Sequence, residues 1–248
     1  MTILGIESSS LVAGCAIVTD GLLTAEYTVN HKKTHSQTLL PMLDEICRMV
    51  SLDKKTIDAV AVSAGPGSFT GLRIGAATAK GLGLALGKPL VAVPTLDAAA
   101  YCFWGTDALV CPVMDARRGQ VYNGLYHVKD RLQTVEPSRA VAAEDLVEEL
   151  NDLCERVIFT GDGIPVIRAL AEERLTVPFR FAPAHMNRQR AAAVAALGAE
   201  LYAEGKYMDA AAFVPDYLRK SQAERERDEA EAAGRLADLA AGHAVKAE

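Results

Sequence analysis

An α/β fold with mixed sheets flanked by helices is what this sequence predicts, and three observations predict it. Strand-like segments separated by turn residues open the chain, with Asp20-Gly21 as a hairpin dipeptide, before any helical pattern begins. Near-continuous apolar runs at residues 57–64 and 90–93 then flank a long helical segment, the strand–helix–strand order of a parallel crossover. The 248 residues are 50% hydrophobic and 23% charged, enough for a large core and unlike a disordered, collagen-like or coiled-coil chain. The antiparallel opening also excludes a dinucleotide-binding unit, which places a helix directly after its first strand.

Each element follows from its pattern. Thr2–Glu7 alternates as a strand and runs into the polar turn Ser8-Ser9-Ser10, and residues 14–19 and 22–29 are the arms of the hairpin. Leu39, Leu40, Leu43, Ile46, Cys47 and Val50 recur at helical spacing over residues 36–50, with Ser36 the expected N-cap and Pro41 near the first turn. Gly65-Pro66-Gly67 breaks the next strand, and residues 69–87 read as a long helix. Residues 95–104 form a short helix with Thr95 as its cap and Asp97 in its first turn. A second region starts near Gly105. It has strands at 109–114 and 121–128 around a long connection, Asp115-Ala116-Arg117-Arg118-Gly119. Helices at Ala143–Leu153 and 165–174 enclose the strand Val157–Thr160 and the turn Gly161-Asp162-Gly163, and an alanine-rich helix covers 190–204. No internal repeat at fixed spacing is visible. The expected organisation is a first domain over 1–104 and a second over 105–220, whose last segment packs back on the first. A charged tail, helical or disordered, covers 221–248.

Charge narrows the function. Lys+Arg total 26 against Asp+Glu 32, a formal charge of −6; the chain up to Trp104 holds eight acids and eight bases, so the whole excess lies after it. Such a chain does not hold nucleic acid through its overall field, and any RNA role is local or delegated to a partner. No apolar stretch approaches the roughly 20 residues of a membrane span. The start Met1-Thr2-Ile3-Leu4 lacks the basic region of a signal peptide. The five cysteines are odd in number and form no CxxC pair, which predicts reduced, buried thiols and a cytoplasmic protein.

Four features could carry chemistry. The glycine-rich loop before the long helix is either an anion cradle at a helix N-terminus or a structural turn capped by Ser68 or Thr70; it has no P-loop lysine and does not match GxGxxG. Gly71, Gly75, Ala79, Gly83 and Gly87 recur every four residues along that helix. This stripe of small residues packs either on the domain's own sheet or against another subunit. His31 and His35 stand four apart with Lys32 and Lys33 between them, a weak metal pattern without an HExxH glutamate, and read better as surface histidines. Glu7 and Asp115 each end a strand that opens one region, where a carboxylate can orient metal, water or a hydroxyl, or simply be solvated.

Several of these segments resemble one known family. ILGIESS from Ile3, HSQTLLP from His35, AGPGSFTGLRIG from Ala64, the Pro94-Thr95-Leu96 step, DARRGQVY from Asp115 and PDYLR from Pro215 are similar to the TsaB (YeaZ) family of bacterial tRNA threonylcarbamoyladenosine biosynthesis. The resemblance runs to about Arg219, and the loop Gly65, Pro66, Gly67, Ser68, Phe69, Thr70, Gly71 and Arg73 is its most specific part. It implies a two-domain actin-like fold shared with sugar kinases and Hsp70. It also implies a non-catalytic scaffold role, with no catalytic residue and no metal site of its own. The paralogous TsaD subunit would transfer the threonylcarbamoyl group to the N6 amine of a tRNA adenosine, the ATPase TsaE would join, and tRNA would be met through the complex. Docking would use a helical bundle of residues 36–50 and 69–86, which places Leu39, Leu43, Ile46, Gly71, Gly75, Ala79 and Gly83 at a partner interface; the isolated protein would form a homodimer through the same surface. No cofactor is expected to be held tightly; ATP would act at the complex interface, and the positions nearest a nucleotide would be Glu7, Ser8 and Asp115. The paralogue's metal histidines sit on a helix beyond the GPG loop, and no such pair follows Gly67 here. Two alternatives remain: an autonomous actin-like ATP-binding enzyme, weakened by a first turn without glycine, and a metal-dependent hydrolase centred on His31 and His35.

Overall fold

Among the described residues, ten strands build two five-stranded sheets that repeat one topology. In the computed structural model, which describes residues 1–31 and 34–219, the first half runs β1 (Thr2–Glu7), β2 (Val12–Thr19), β3 (Leu22–Asn30), α1 (His35–Met49), β4 (Ala59–Gly65), α2 (Phe69–Leu86), β5 (Leu90–Pro94) and α3 (Thr95–Tyr101). The second half repeats that order with β6 (Leu109–Arg117), β7 (Gln120–Val128), β8 (Leu132–Ala142), α4 (Ala143–Leu153), β9 (Val157–Thr160), α5 (Ile164–Arg174), β10 (Phe179–Phe181) and α6 (Ala191–Ala203). The sheets are ordered β3-β2-β1-β4-β5 and β8-β7-β6-β9-β10. In each, the first three strands are antiparallel and the crossovers parallel. This doubled βββαβαβα order is the actin-like fold that the family resemblance implies, although no residue pattern repeats with it. By internal contacts the chain falls into two units, Met1–Asp216 and Tyr217–Glu248. Both sheets belong to the first, and the tail expected over 221–248 lies outside the described residues.

Alternation along the central strands gives the first sheet two covered faces. Leu4, Ile6, Val60 and Val62 point to α1, where Leu39, Leu43 and Ile46 bury the helix's apolar stripe. Ile3, Ala59, Ala61 and Val91 point the other way, to Val194 and Leu197 of α6. The last helix of the second half thus packs on the first sheet. After α6 the chain rounds the β5 edge, where Met208 and Leu90 exchange backbone hydrogen bonds of 2.9 Å. It continues along α2, so that Ala210 and Phe213 join the α1-side core, and Lys80 Nζ donates to the Ala211 and Phe213 carbonyls at 2.8 and 3.1 Å. The second sheet has its own core, in which Leu109, Val113 and Phe159 meet Leu146 and Leu150 of α4 and Ile167 of α5.

Several local expectations need correction. Thr34, not Ser36, stands at the N-cap of α1, because His35 is the first helical residue and its ring is tied inward to the Ser10 carbonyl. Pro41 lies inside the helix, beyond its first turn. Thr95 starts α3 with Pro94 at the cap, and its hydroxyl is buried without a hydrogen bond. The connection after Asp115 is short, since β6 runs on to Arg117 and β7 starts at Gln120; Arg117, Arg118 and Gly119 turn with φ of 67°, 56° and 71°. Strand β8 escapes the sequence reading because it is a polar edge strand containing Pro137, and β10 because it has three residues.

Candidate functional site

Strand β1 ends in the turn Ser8-Ser9-Ser10, and the loop leaving its parallel neighbour β4 meets that turn. The turn is buried and each hydroxyl is used inside the chain. Ser8 Oγ donates to the Gly71 carbonyl at 3.0 Å, Ser9 Oγ to Glu7 Oε1 at 2.5 Å, and Ser10 Oγ to Gln189 Oε1 at 2.9 Å. The GPG loop closes over this turn: Ser68 N donates to the Ser9 carbonyl at 2.6 Å. A Cβ at Gly71 would strike the Ser8 carbonyl and one at Gly75 the Ser8 hydroxyl, so the start of the small-residue stripe exists to seat α2 on this turn. Gly65 adopts φ +127° and leaves no room for a side chain against the Asp216 carbonyl, while Asp216 N donates to the Ala64 carbonyl at 2.7 Å. Two of the family-like segments, AGPGSFTG and the start of PDYLR, therefore meet in space. The loop ends as a structural turn: Ser68 caps α2 by accepting from Gly71 N at 3.3 Å.

Beneath the turn lies a buried acid. Burial pushes the Glu7 carboxyl up to about 7, against hydrogen bonds from Ser9 and Ser63 that favour its charged form and with the Asp162 carboxylate adding to the rise. Asp162, in the turn after β9, is likewise raised by burial; bonds from Gln189 and its own backbone and the charge of Arg188 oppose this, while Asp115 reinforces it. Gln189 Nε2 donates to Asp162 Oδ1 at 3.2 Å, so one buried amide joins the two halves. Asp115 is about one-third exposed, accepts from Arg117 N at 2.7 Å and pairs with the Arg117 guanidinium at 3.4 Å. Asp162, Gln189 and Ser63 were missed from sequence. The Gly-Asp-Gly turn was visible, but nothing in the pattern distinguished its aspartate, and Gln189 is an isolated amide in a polar connection.

The predicted interface residues face inward. Leu39, Leu43, Ile46, Gly71, Gly75, Ala79 and Gly83 are all buried in this chain. Gly83 takes the close approach of Leu90 and Ala210. The apolar stripe of each helix packs on its own sheet, which is the physical reason these side chains are buried within the chain. The outer faces of the two helices carry other residues: Leu40, Thr70, Arg73, Ala77, Gly81 and Leu84, the last 63% exposed. His35 is buried, not a surface residue, and its Nε2 donates to the Ser10 carbonyl at 2.8 Å, whereas His31 is exposed. Burial pushes the thiols of Cys15 and Cys111 up to about 12, which suits inert core residues. An open groove of about 530 Å³ runs between β3 and α1, lined by Tyr27, Val29, Pro41 and Met42, away from Glu7 and the GPG loop. Among the described residues, no helix is long and apolar enough to cross a membrane.

The architecture defines an actin-like protein whose first strand-end turn is filled by its own side chains. The family described as TsaD, tRNA N6-adenosine threonylcarbamoyltransferase, matches residues 24–227. The tRNA threonylcarbamoyladenosine biosynthesis protein TsaB of Bacillus subtilis (strain 168) is 35% identical over 90% of this chain and 96% of its own length. That of Escherichia coli (strain K12) is 28% identical over the same shares. YeaZ from Pseudomonas aeruginosa superposes with a TM-score of 0.73 at 25% identity, covering 88% of this chain and 99% of its own. The chain belongs to the TsaB (YeaZ) family.

Proposed function

We propose that this protein takes part in making threonylcarbamoyladenosine in tRNA, as a non-catalytic scaffold for a TsaD-type transferase. The family supports the pathway, since relatives matched over nearly their whole length carry that name. The observation that carries the scaffold reading is the filled turn. A phosphate-handling loop presents free hydroxyls and backbone N–H groups to its ligand. Here Ser8, Ser9 and Ser10 are buried and donate to Gly71, Glu7 and Gln189. The same packing disfavours an autonomous ATP-binding enzyme.

In this reading the outer faces of α1 and α2, which pack side by side, dock the transferase subunit. Leu84, Ala77 and Leu40 supply apolar contact and Gly81 a close approach, since a Cβ there meets open space. The free protein pairs with a second copy through this face. A TsaE-type ATPase joins the heteromeric complex, ATP acts at its interface, and tRNA is held mainly by the partners. Nucleoside analysis of tRNA from cells lacking this chain tests the proposal. The modified nucleoside should vanish and return with the wild-type gene. Ala77→Glu should fold normally, lose copurification with the transferase and fail to restore the modification. Full modification without this chain would overturn the pathway assignment, and an intact complex with Ala77→Glu would overturn the docking face.

A further inference from the structure

Two chain crossings join the sheets, and they differ in kind. One is the mainly apolar joint at α3, where Leu96, Ala100 and Phe103 pack against Val110, Met114, Tyr126 and Val128 of the second sheet and Tyr126 Oη donates to Asp97 Oδ1 at 2.8 Å. The other is the segment over residues 182–190. It is pinned to the second half by Ala182 N on the Phe159 carbonyl at 2.8 Å and by Thr160 Oγ1 on the Met186 carbonyl at 2.7 Å. It is pinned to the first half by the Arg190–Glu26 pair and by Ala192 N on Glu26 Oε1 at 3.1 Å. Between these anchors the Gln189 amide reaches both ways, accepting from Ser10 of the first half and donating to Asp162 of the second.

We infer that Gln189 is a positioning residue that latches the two halves at one fixed opening, with the α3 joint as the pivot. An amide suits this place because it accepts from a hydroxyl and donates to a carboxylate at once. No charged side chain offers both without adding charge beside Asp162, Glu7, Asp115 and Arg188, the titratable and charged groups that meet around the contact. A closed latch would make the protein a rigid body, whatever partner it serves.

The test cuts each arm separately. Gln189→Glu keeps the acceptor for Ser10 and loses the donor to Asp162; Ser10→Ala removes the other arm. Both are made in the full chain with spin labels at Leu11→Cys and Arg118→Cys, one in each half, and exposed Cys154 replaced by Ser. The unmutated latch should give one narrow distance distribution. Each cut should add a longer component, shifting the closed-to-open ratio roughly five- to tenfold, as expected for one lost hydrogen bond. The two variants should populate the same longer distance, because either arm holds the same opening. Unchanged distributions in both variants, with or without a fall in melting temperature, would show that Gln189 only satisfies local polar groups and would overturn the latch. A longer component from one cut alone would overturn it too. If Gln189→Glu does not fold, Ser10→Ala alone decides between these outcomes.

Discussion

The two halves share one topology yet treat the end of their first strand in opposite ways. In both, glycines after the fourth strand let a loop close on that end: Gly67 meets Ser9 in the first half and Gly161 meets the Val113 carbonyl in the second. In the first half the closure is complete, with the serine turn and Glu7 buried. In the second the β6–β7 hairpin and Asp115 stay partly exposed beside Arg117. The covering helices differ accordingly: α2 presents Gly71 and Gly75 to the turn, whereas α5 buries the ordinary aliphatic face of Ile164, Ile167 and Ala171. Topology alone therefore does not make a site; residue size at the loop and helix start decides whether a crevice stays open or is filled.

The largest effect should come from forcing the filled side open. Gly71→Leu places a side chain against the Ser8 carbonyl and is expected to cost about 3 kcal/mol or more, read as a lower urea midpoint. Tolerance of that change at under about 1 kcal/mol would mean the turn is not tightly packed. Next is pH. Glu7 rises from an ordinary 4.5 to about 7, so its protonated form favours the folded state. Stability from this group is greatest below about 4.5, falls as pH rises to about 7 and is flat above, an amplitude of roughly 3 kcal/mol. Glu7→Gln should remove most of that slope in urea titrations between pH 5 and 8, and a slope kept intact would assign it elsewhere. On the open side the matching change is small: Asp115→Asn loses one exposed pair and should cost under about 1 kcal/mol. The smallest effect lies on the outer face of α2, where Gly81→Ala meets open space and should raise stability by up to about 1 kcal/mol in thermal melts.

What was legible in the sequence is what rests on local pattern. The strand β1, the hairpin at Asp20-Gly21, the crossover around α2 and the Ser68 cap follow from alternation, turn chemistry and helical spacing. The polar edge strand β8 does not, because its hydrophobic face is too weak to show a period. The stripe on α2 was visible as a stripe, but its direction was not: glycines state that something comes close without saying what, and here it is Ser8 and the segment after α6. Glu7 was legible as a strand-end acid. Its burial under Ser9, and its neighbourhood with Asp162 and Gln189, depend on the second half folding back, which no local signal encodes.

The most direct measurement is reconstituted threonylcarbamoyl transfer to tRNA from an added, activated threonylcarbamoyl donor, with the purified TsaD-type and TsaE-type partners, with and without this chain, beside this chain alone with the same donor and Mg·ATP. The account predicts no modified nucleoside from this chain alone, little from the partners without it, and full modification when all are present. Modification by this chain alone, or equal activity of the partners in its absence, would contradict it.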